Sequence, residues 1–226
     1  MRLVLLPGLN GSTTLFGPLL ANLHPALEVL ALELPTQGNQ THKYLADLLL
    51  CRLGNTPYVL LGESFSGPLA YQLALCQPPG LRGVIFAASF LSSPQPLLQL
   101  INYLPLPRWL LRQRTLLNLF CLSSQASSEL TQLLGEEIQK LPARLLRERL
   151  HNLGQLQKPE LHLELPALHL LASHDRLVTR KAQVSLQAGC TQLTEITLTG
   201  PHFLLQTQPQ ACATAIQSFI TGLPVD

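Results

Sequence analysis

Short apolar runs alternate with longer helical stretches along most of this chain. Leu3-Val4-Leu5-Leu6, Tyr58-Val59-Leu60-Leu61 and Ala167-Leu168-His169-Leu170-Leu171-Ala172 are apolar at nearly every position. Such a strand has no solvent face, so it belongs in a parallel sheet covered on both sides. The pattern predicts strands at about 2–6, 27–34, 57–62, 82–88, 166–172 and 192–198. Helices are predicted at about 14–23, 41–53, 66–77, 178–188 and 205–221. This alternation gives a doubly wound α/β fold, whose ligands bind at the C-terminal ends of the strands.

Residues 91–160 break the alternation. They are Leu-rich with helical spacing and are punctuated by Pro94, Pro105, Pro107, Pro142 and Pro159. Three or four short helices are expected there. Residues 1–90 and 161–226 then form one core, with 91–160 inserted into it. The insertion carries eight Lys and Arg against five Asp and Glu. Arg144, Arg147 and Arg149 read most simply as a solvated face; a weak pull on an anionic substrate is the sharper alternative.

The junction of the third strand and the third helix carries the chemistry. Gly62-Glu63-Ser64-Phe65-Ser66-Gly67 follows the run Tyr58–Leu61 and precedes Pro68-Leu69-Ala70-Tyr71-Gln72-Leu73-Ala74-Leu75. A strand, a tight turn with a central serine and a helix form the context that displays a nucleophilic hydroxyl above a sheet edge. Helix and strand approach such a turn closely, so its neighbours must be small. Gly62 fits the first position of G-x-S-x-G; Ser66 stands where the last glycine is the rule, and Gly67 comes one residue late.

A serine nucleophile needs a base, and the base needs an orienting acid. The run Ala167–Ala172 ends in Ser173-His174-Asp175-Arg176-Leu177-Val178, which puts a carboxylate just past a strand's C-terminal end. The next run, Leu193-Thr194-Glu195-Ile196-Thr197-Leu198, ends in Thr199-Gly200-Pro201-His202-Phe203. The gap from Ser64 to Asp175 has room for a strand and a large insertion. The gap from Asp175 to His202 has room for one helix and one strand. His174 is the decoy beside Asp175. His24, His42, His151 and His162 fall in helices or turns away from the rim, and His169 packs within a strand.

With these landmarks, and with Leu3-Val4-Leu5-Leu6-Pro7-Gly8-Leu9-Asn10-Gly11 at the start, the chain resembles a small α/β-hydrolase of the serine esterase/lipase type. The resemblance covers nearly all of it. It implies Ser64 as nucleophile, His202 as base and Asp175 as the orienting acid. It also implies an oxyanion hole of two backbone N–H groups. Phe65 supplies one, and Leu9, in the loop after the first strand, supplies the other. Pro7-Gly8-Leu9 replaces the more usual His-Gly-x there, so the second donor stays open between Leu9 and Asn10. The family usually begins with two extra antiparallel strands, for which this chain has no residues. The expectation is an α/β-hydrolase fold with a mostly parallel sheet of about six strands, and with 91–160 as a helical cap.

The implied reaction is hydrolysis of a carboxylic ester through an acyl-enzyme, with an apolar acyl or alcohol group and no metal or organic cofactor. A thioesterase or acyltransferase would use the same residues, and a non-catalytic binding protein would keep the fold without the chemistry. A dinucleotide-binding protein is poorly supported, because Gly8-Leu9-Asn10-Gly11 lacks the G-x-G-x-x-G spacing. Asn10, Leu104 and Leu110 are expected to touch substrate, although Asn10, Ser12 and Thr13 serve equally well as caps for the next helix. Glu63 is expected to hydrogen-bond within the turn.

Composition narrows the partners. At 226 residues the chain makes one domain or one domain with a lid. Only 12% of its residues are charged, and its net charge is +2. It has no basic cluster interleaved with aromatics, so a nucleic-acid partner is not expected; a small-molecule ester is. Five cysteines occur singly, which argues against a disulfide framework or zinc site and for a reducing compartment, the cytoplasm. They read mostly as buried thiols. Arg2 is followed by too few apolar residues for a secretory signal, and no apolar run reaches membrane-spanning length. Oligomeric state is not legible.

Overall fold

The computed structural model describes residues 1–100 and 127–224. Six strands form one sheet: β1 Arg2–Leu6, β2 Val29–Ala31, β3 Tyr58–Glu63, β4 Leu81–Ala87, β5 Ala167–Ala172 and β6 Leu193–Leu198. Their order across the sheet is β2-β1-β3-β4-β5-β6, and every pairing is parallel. The chain steps outward from β1 to β2, then crosses back to place β3 on the other side of β1. Loops leaving β1 and β3 therefore diverge to opposite faces, and a crevice opens at their C-terminal ends.

The apolar runs divide as a two-sided sheet requires. Val4, Leu6, Leu60 and Phe86 enter one buried cluster, while Leu3, Leu5, Val59, Leu61, Ile85 and Leu168 enter the cluster on the opposite face. Period-two alternation sends neighbours along each strand to different faces. Helices α1 Gly17–Leu20 and α2 His42–Leu53 follow the first two strands, and α3 Ser66–Leu75 follows β3. Thr41 caps α2 by accepting from the Tyr44 N–H, and Gly54, at φ +69°, ends it.

Among the described residues, 91–160 contain a 3-10 turn at Pro96–Leu100 and two helices, α4 Ser128–Lys140 and α5 Ala143–Gly154. Leu104, Leu110 and Cys121 lie outside the described residues. Leu130, Leu133 and Leu134 of α4 pack with Leu15 and Phe203, whereas Leu145, Leu146 and Leu150 of α5 pack with Leu141 and Leu9.

Several elements differ from expectation for local reasons. Strand β2 spans only three residues. It is an edge strand, and Leu32 and Leu34 turn inward after it. The helix expected at 14–23 is a 3-10 turn, Thr13–Phe16, followed by α1, because Gly17-Pro18 interrupts the ladder: proline lacks the N–H that would continue it. The stretch after β5 forms two single turns, α6 Arg180–Gln183 and α7 Ser185–Gly189. The last helix is split into α8 Leu204–Thr207 and α9 Pro209–Thr221. Proline keeps the residue before it out of the helical region, and Gln208 sits at φ −129°, ψ 47°. Of the four described cysteines, Cys190 and Cys212 are buried, but Cys51 and Cys76 are exposed. Among the described residues, no helix is long and apolar enough to cross a membrane.

Candidate active site

Ser64 closes β3 at φ +47°, in the left-handed region that non-glycine residues rarely occupy. Its backbone is tied on both sides. The Ser64 N–H donates to the Ala87 carbonyl at 2.9 Å, and the Ser64 carbonyl accepts from Ser89 Oγ at 2.8 Å. The turn tolerates no larger neighbours. A Cβ on Gly62 would lie 2.3 Å from the Ser66 carbonyl oxygen, and one on Gly67 would lie 1.7 Å from Ser89 Oγ. Position 66 is different, because its side chain has a task. Ser66 is fully buried and its hydroxyl donates to the Pro7 carbonyl at 2.5 Å, joining the turn to the loop after β1. The departure from G-x-S-x-G is thus filled by a hydrogen bond rather than merely endured.

The structure brings Ser64, His202 and Asp175 together. His202 Nε2 lies 2.8 Å from Ser64 Oγ, and His202 Nδ1 lies 2.8 Å from Asp175 Oδ2. The other oxygen of Asp175 accepts the N–H groups of Leu177 and Val178, both at 2.9 Å. An ionised carboxylate only accepts, so the ring proton belongs on Nδ1, leaving the Nε2 lone pair for the serine hydroxyl. Burial pushes the Asp175 carboxyl up, but the charge and hydrogen bond of His202 and the two N–H groups outweigh it and hold the pKa below the usual range. Phe203 stands edge-on to the His202 ring at 5.6 Å.

The loop after β1 borders this relay. A Cβ on Gly8 would meet Ser64 Cβ at 3.9 Å, so the backbone here runs beside the nucleophile. The Gly8 carbonyl accepts from the Gly11 N–H at 3.0 Å. In a trans peptide the Leu9 N–H then points the opposite way. Among the described residues, neither the Leu9 N–H nor the Phe65 N–H donates to a protein acceptor. The Asn10 side chain is turned toward the buried Glu137 carboxylate of α4, which it and Ser12 support. Ser12 acts as a cap, its Oγ accepting from the Thr14 N–H at 3.2 Å.

Glu63 hydrogen-bonds outside the turn, not within it, to partners that sequence spacing could not name. Gln206 Nε2 donates to Glu63 Oε1 at 2.9 Å, and the Gly8 N–H also supports the carboxylate. Burial dominates and raises its pKa; Gln206, His202 and Gly8 only partly offset it. His42 is not remote from the rim. It is buried beside the turn, its Nε2 lies 3.1 Å from the Phe65 carbonyl, and burial pushes its pKa down to about 4. His174 is exposed and bonded to Ser173, and His169 is fully buried in β5.

Arg149 is the largest correction. Far from lying on a solvated face, it is fully buried. Its guanidinium donates to the Leu9 carbonyl at 2.8 Å, the Pro35 carbonyl at 3.0 Å and Gln40 Oε1 at 2.9 Å. The signal was present in helical spacing, since position 149 falls on the same stripe as Leu145, Leu146 and Leu153.

The alpha/beta hydrolase family profile matches residues 3–215. The chain belongs to this family. No curated protein matches it in sequence. Among solved structures, it is similar to a thermophilic esterase from Thermogutta terrifontis, with 17% identity and a TM-score of 0.79, covering 98% of this chain and 89% of that one. It is also similar to a lipase-esterase related protein from Clostridium acetobutylicum, with 17% identity and a TM-score of 0.78, covering 96% and 93%. A third is RedJ, a thioesterase of the prodiginine pathway in Streptomyces coelicolor, with 19% identity and a TM-score of 0.74, covering 96% and 85%. At such identities the likeness is one of fold, the fold of a hydrolase superfamily with esterase members.

Proposed function

We propose that this α/β-hydrolase is a serine hydrolase that cleaves carboxylic esters through an acyl-enzyme. One observation carries the reading: an unbroken relay from Ser64 Oγ through His202 to Asp175, 2.8 Å at each link, at the C-terminal edge of a parallel sheet. His202 Nε2 takes the proton of Ser64 as Oγ attacks the ester carbonyl. Asp175 holds the imidazolium that forms. The N–H groups of Leu9 and Phe65 receive the charge that develops on the carbonyl oxygen. His202 then protonates the leaving alcohol, and water attacks the acyl-serine by the same route. Every atom and proton in the cycle comes from substrate, water or these side chains, so the chemistry calls for no cofactor.

Residues 91–160 serve as a cap in this reading. Support comes from α4 packing on Phe203, next to His202, and α5 packing on Leu9. The leucines of both helices suit an apolar acyl or alcohol group. A thioester substrate is the second reading, favoured by the fold likeness to RedJ, since the same relay accepts a thiol leaving group. The four cysteines among the described residues are unpaired, which fits a reducing compartment such as the cytoplasm. The test is a panel of acyl esters and matching thioesters of graded chain length, with Ser64→Ala as control. Ester turnover that depends on Ser64 supports the proposal, and turnover of thioesters alone replaces it with the second reading. Equal turnover by Ser64→Ala removes both.

A further inference from the structure

Arg149 sits on α5, a helix of the insertion, yet it makes its contacts at the base of the site. The guanidinium carbon lies 5.6 Å from the centroid of the Phe65 ring. One guanidinium nitrogen donates to the Leu9 carbonyl, a second to the Pro35 carbonyl, and Nε to Gln40. These partners come from the loop after β1 and the loop after β2. Leu9 and Phe65 are the two residues whose N–H groups form the hole in the reading above. The same group therefore touches both halves of it, from outside the sheet.

Space is reserved for this arrangement. Gly11 has φ +74°, and a Cβ there would lie 2.5 Å from Arg149 Nη1. Any larger residue at position 11 would push the guanidinium off the Leu9 carbonyl. The choice of arginine is also informative. Taking a guanidinium out of water is costly, and an apolar side chain of similar volume is often as stable or more so. Burial lowers the Arg149 pKa to about 10, so it remains charged at neutral pH. Its three acceptors are neutral: one amide oxygen and two backbone carbonyls. Leucines flank it on the same stripe at 145, 146 and 153. Filling space at position 149 would need nothing more than another leucine or a methionine. What arginine adds is a planar set of donors that fixes several acceptors at once.

We propose that Arg149 is a positioning residue for the oxyanion hole: it holds the Leu9 segment by its carbonyl and lies over Phe65, so that both N–H donors keep their place relative to Ser64. The inference rests on the serine-hydrolase reading. It also makes α5 part of the reaction machinery, not only a cover for substrate. Ser66 on Pro7 and Glu63 on Gly8 come from the turn itself and act before Leu9, while the Leu34 N–H on the Gly11 carbonyl and Glu137 beside Asn10 act after it. Among the described residues Arg149 supplies the side-chain contact to the Leu9 carbonyl.

The test compares wild type with Arg149→Lys and Arg149→Met in the full chain. Lysine keeps the charge without the fork; methionine keeps the volume without either. Four quantities are measured: thermal midpoint, rate of Ser64 labelling by a fluorophosphonate, kcat and KM on a short acyl ester, and inhibition by a trifluoromethyl ketone. That ketone forms an alkoxide on Ser64 and so reports on the hole directly. The expected result is a folded protein whose labelling rate and kcat fall by about ten- to a hundredfold, as for a misplaced donor. The ketone inhibition constant rises by a similar factor, while KM moves by less than about threefold. Folded variants that label at the wild-type rate overturn the proposal, as do variants in which KM alone changes. If neither variant folds, Gln40→Met decides, because it removes one acceptor and leaves Arg149 in place. It should slow labelling by roughly threefold or more; an unchanged rate overturns the proposal. The two readings fail separately. A wild-type chain that labels at Ser64 but cleaves no ester ends the ester proposal and leaves the labelling comparison to decide on Arg149. A chain that neither labels nor hydrolyses ends both.

Discussion

Replacing Gly67 by alanine tests how closely the serine turn is built. An ideal Cβ at position 67 would lie 1.7 Å from Ser89 Oγ and 2.7 Å from Ser89 Cβ. Rotating the Ser89 side chain clears the first clash. It also gives up the 2.8 Å hydrogen bond to the Ser64 carbonyl, a net loss of about 1 kcal/mol. The second clash survives the rotation, since Cβ does not move with χ1. Backbone must shift, and overpacking of this kind costs about 1–3 kcal/mol. Alanine returns roughly 0.5–1 kcal/mol over glycine within a helix. The balance is a destabilisation of about 1–3 kcal/mol. Chemistry suffers as well, because Ala87 and Ser89 hold the Ser64 backbone, and moving that strand end shifts Oγ relative to His202. Urea unfolding gives the first quantity and the fluorophosphonate labelling rate the second. Ser89→Gly removes both clashing atoms, so the double variant should recover part of the loss, with a coupling of about 1–2 kcal/mol. A Gly67→Ala protein with the wild-type unfolding midpoint and labelling rate would refute the reasoning.

Further outcomes follow from the same geometry. Ser64→Ala should keep the fold and lose hydrolysis, by roughly a million-fold if the relay acts as a unit; more than a tenth of wild-type activity in that variant would remove Ser64 from the mechanism. Asp175→Asn should lower kcat by about ten-thousand-fold, and far more than Glu63→Gln, since of these two carboxylates Asp175 is the one hydrogen-bonded to the His202 ring; the reverse order in steady-state kinetics would reassign the acid. Because the native pKa of Asp175 is lowered, the stability it contributes is complete above its unfolded value of about 4 and is lost as pH falls through the lower native value. Acid unfolding curves should therefore lose part of that slope in Asp175→Asn, and identical slopes would contradict the shift. Leu150→Ala, on the α5 face that packs with Leu9, should change the preferred acyl chain length while acetate esters react nearly as before; an unchanged profile speaks against the cap role.

The order of the landmarks made much of this site legible. In a parallel α/β sheet, the C-terminal ends of strands share one rim. A serine after β3, a carboxylate after β5 and a histidine after β6 must therefore open onto the same edge. The four inner strands were legible for a related reason: burial on both faces leaves almost no polar position, and β1, β3, β4 and β5 appear with small changes at their ends. The edge strands are partly exposed, so β6 carries polar residues and β2 keeps only three of the eight residues expected at 27–34. Local breaks were less visible, because Gly17-Pro18 and Pro209 act over single hydrogen bonds within otherwise helical patterns.

Periodicity tells which side of a helix is buried, but not what it meets there. Arg149 lies on the apolar stripe of α5, yet its acceptors, Leu9, Pro35 and Gln40, are more than a hundred residues away in the chain. Gln206 reaches Glu63 across a comparable separation, and His42 reaches the Phe65 carbonyl from the preceding helix. Ser66 reads as a flaw in a motif until the Pro7 carbonyl is brought against it. The sequence by itself determined the sheet, its rim and the three residues that meet there, because those depend on strand order and side-chain character. Only the tertiary structure decided which groups hold the Pro7–Gly11 loop in place. A buried hydrogen bond depends on the position of both partners in space, and those positions exist only once the chain has packed.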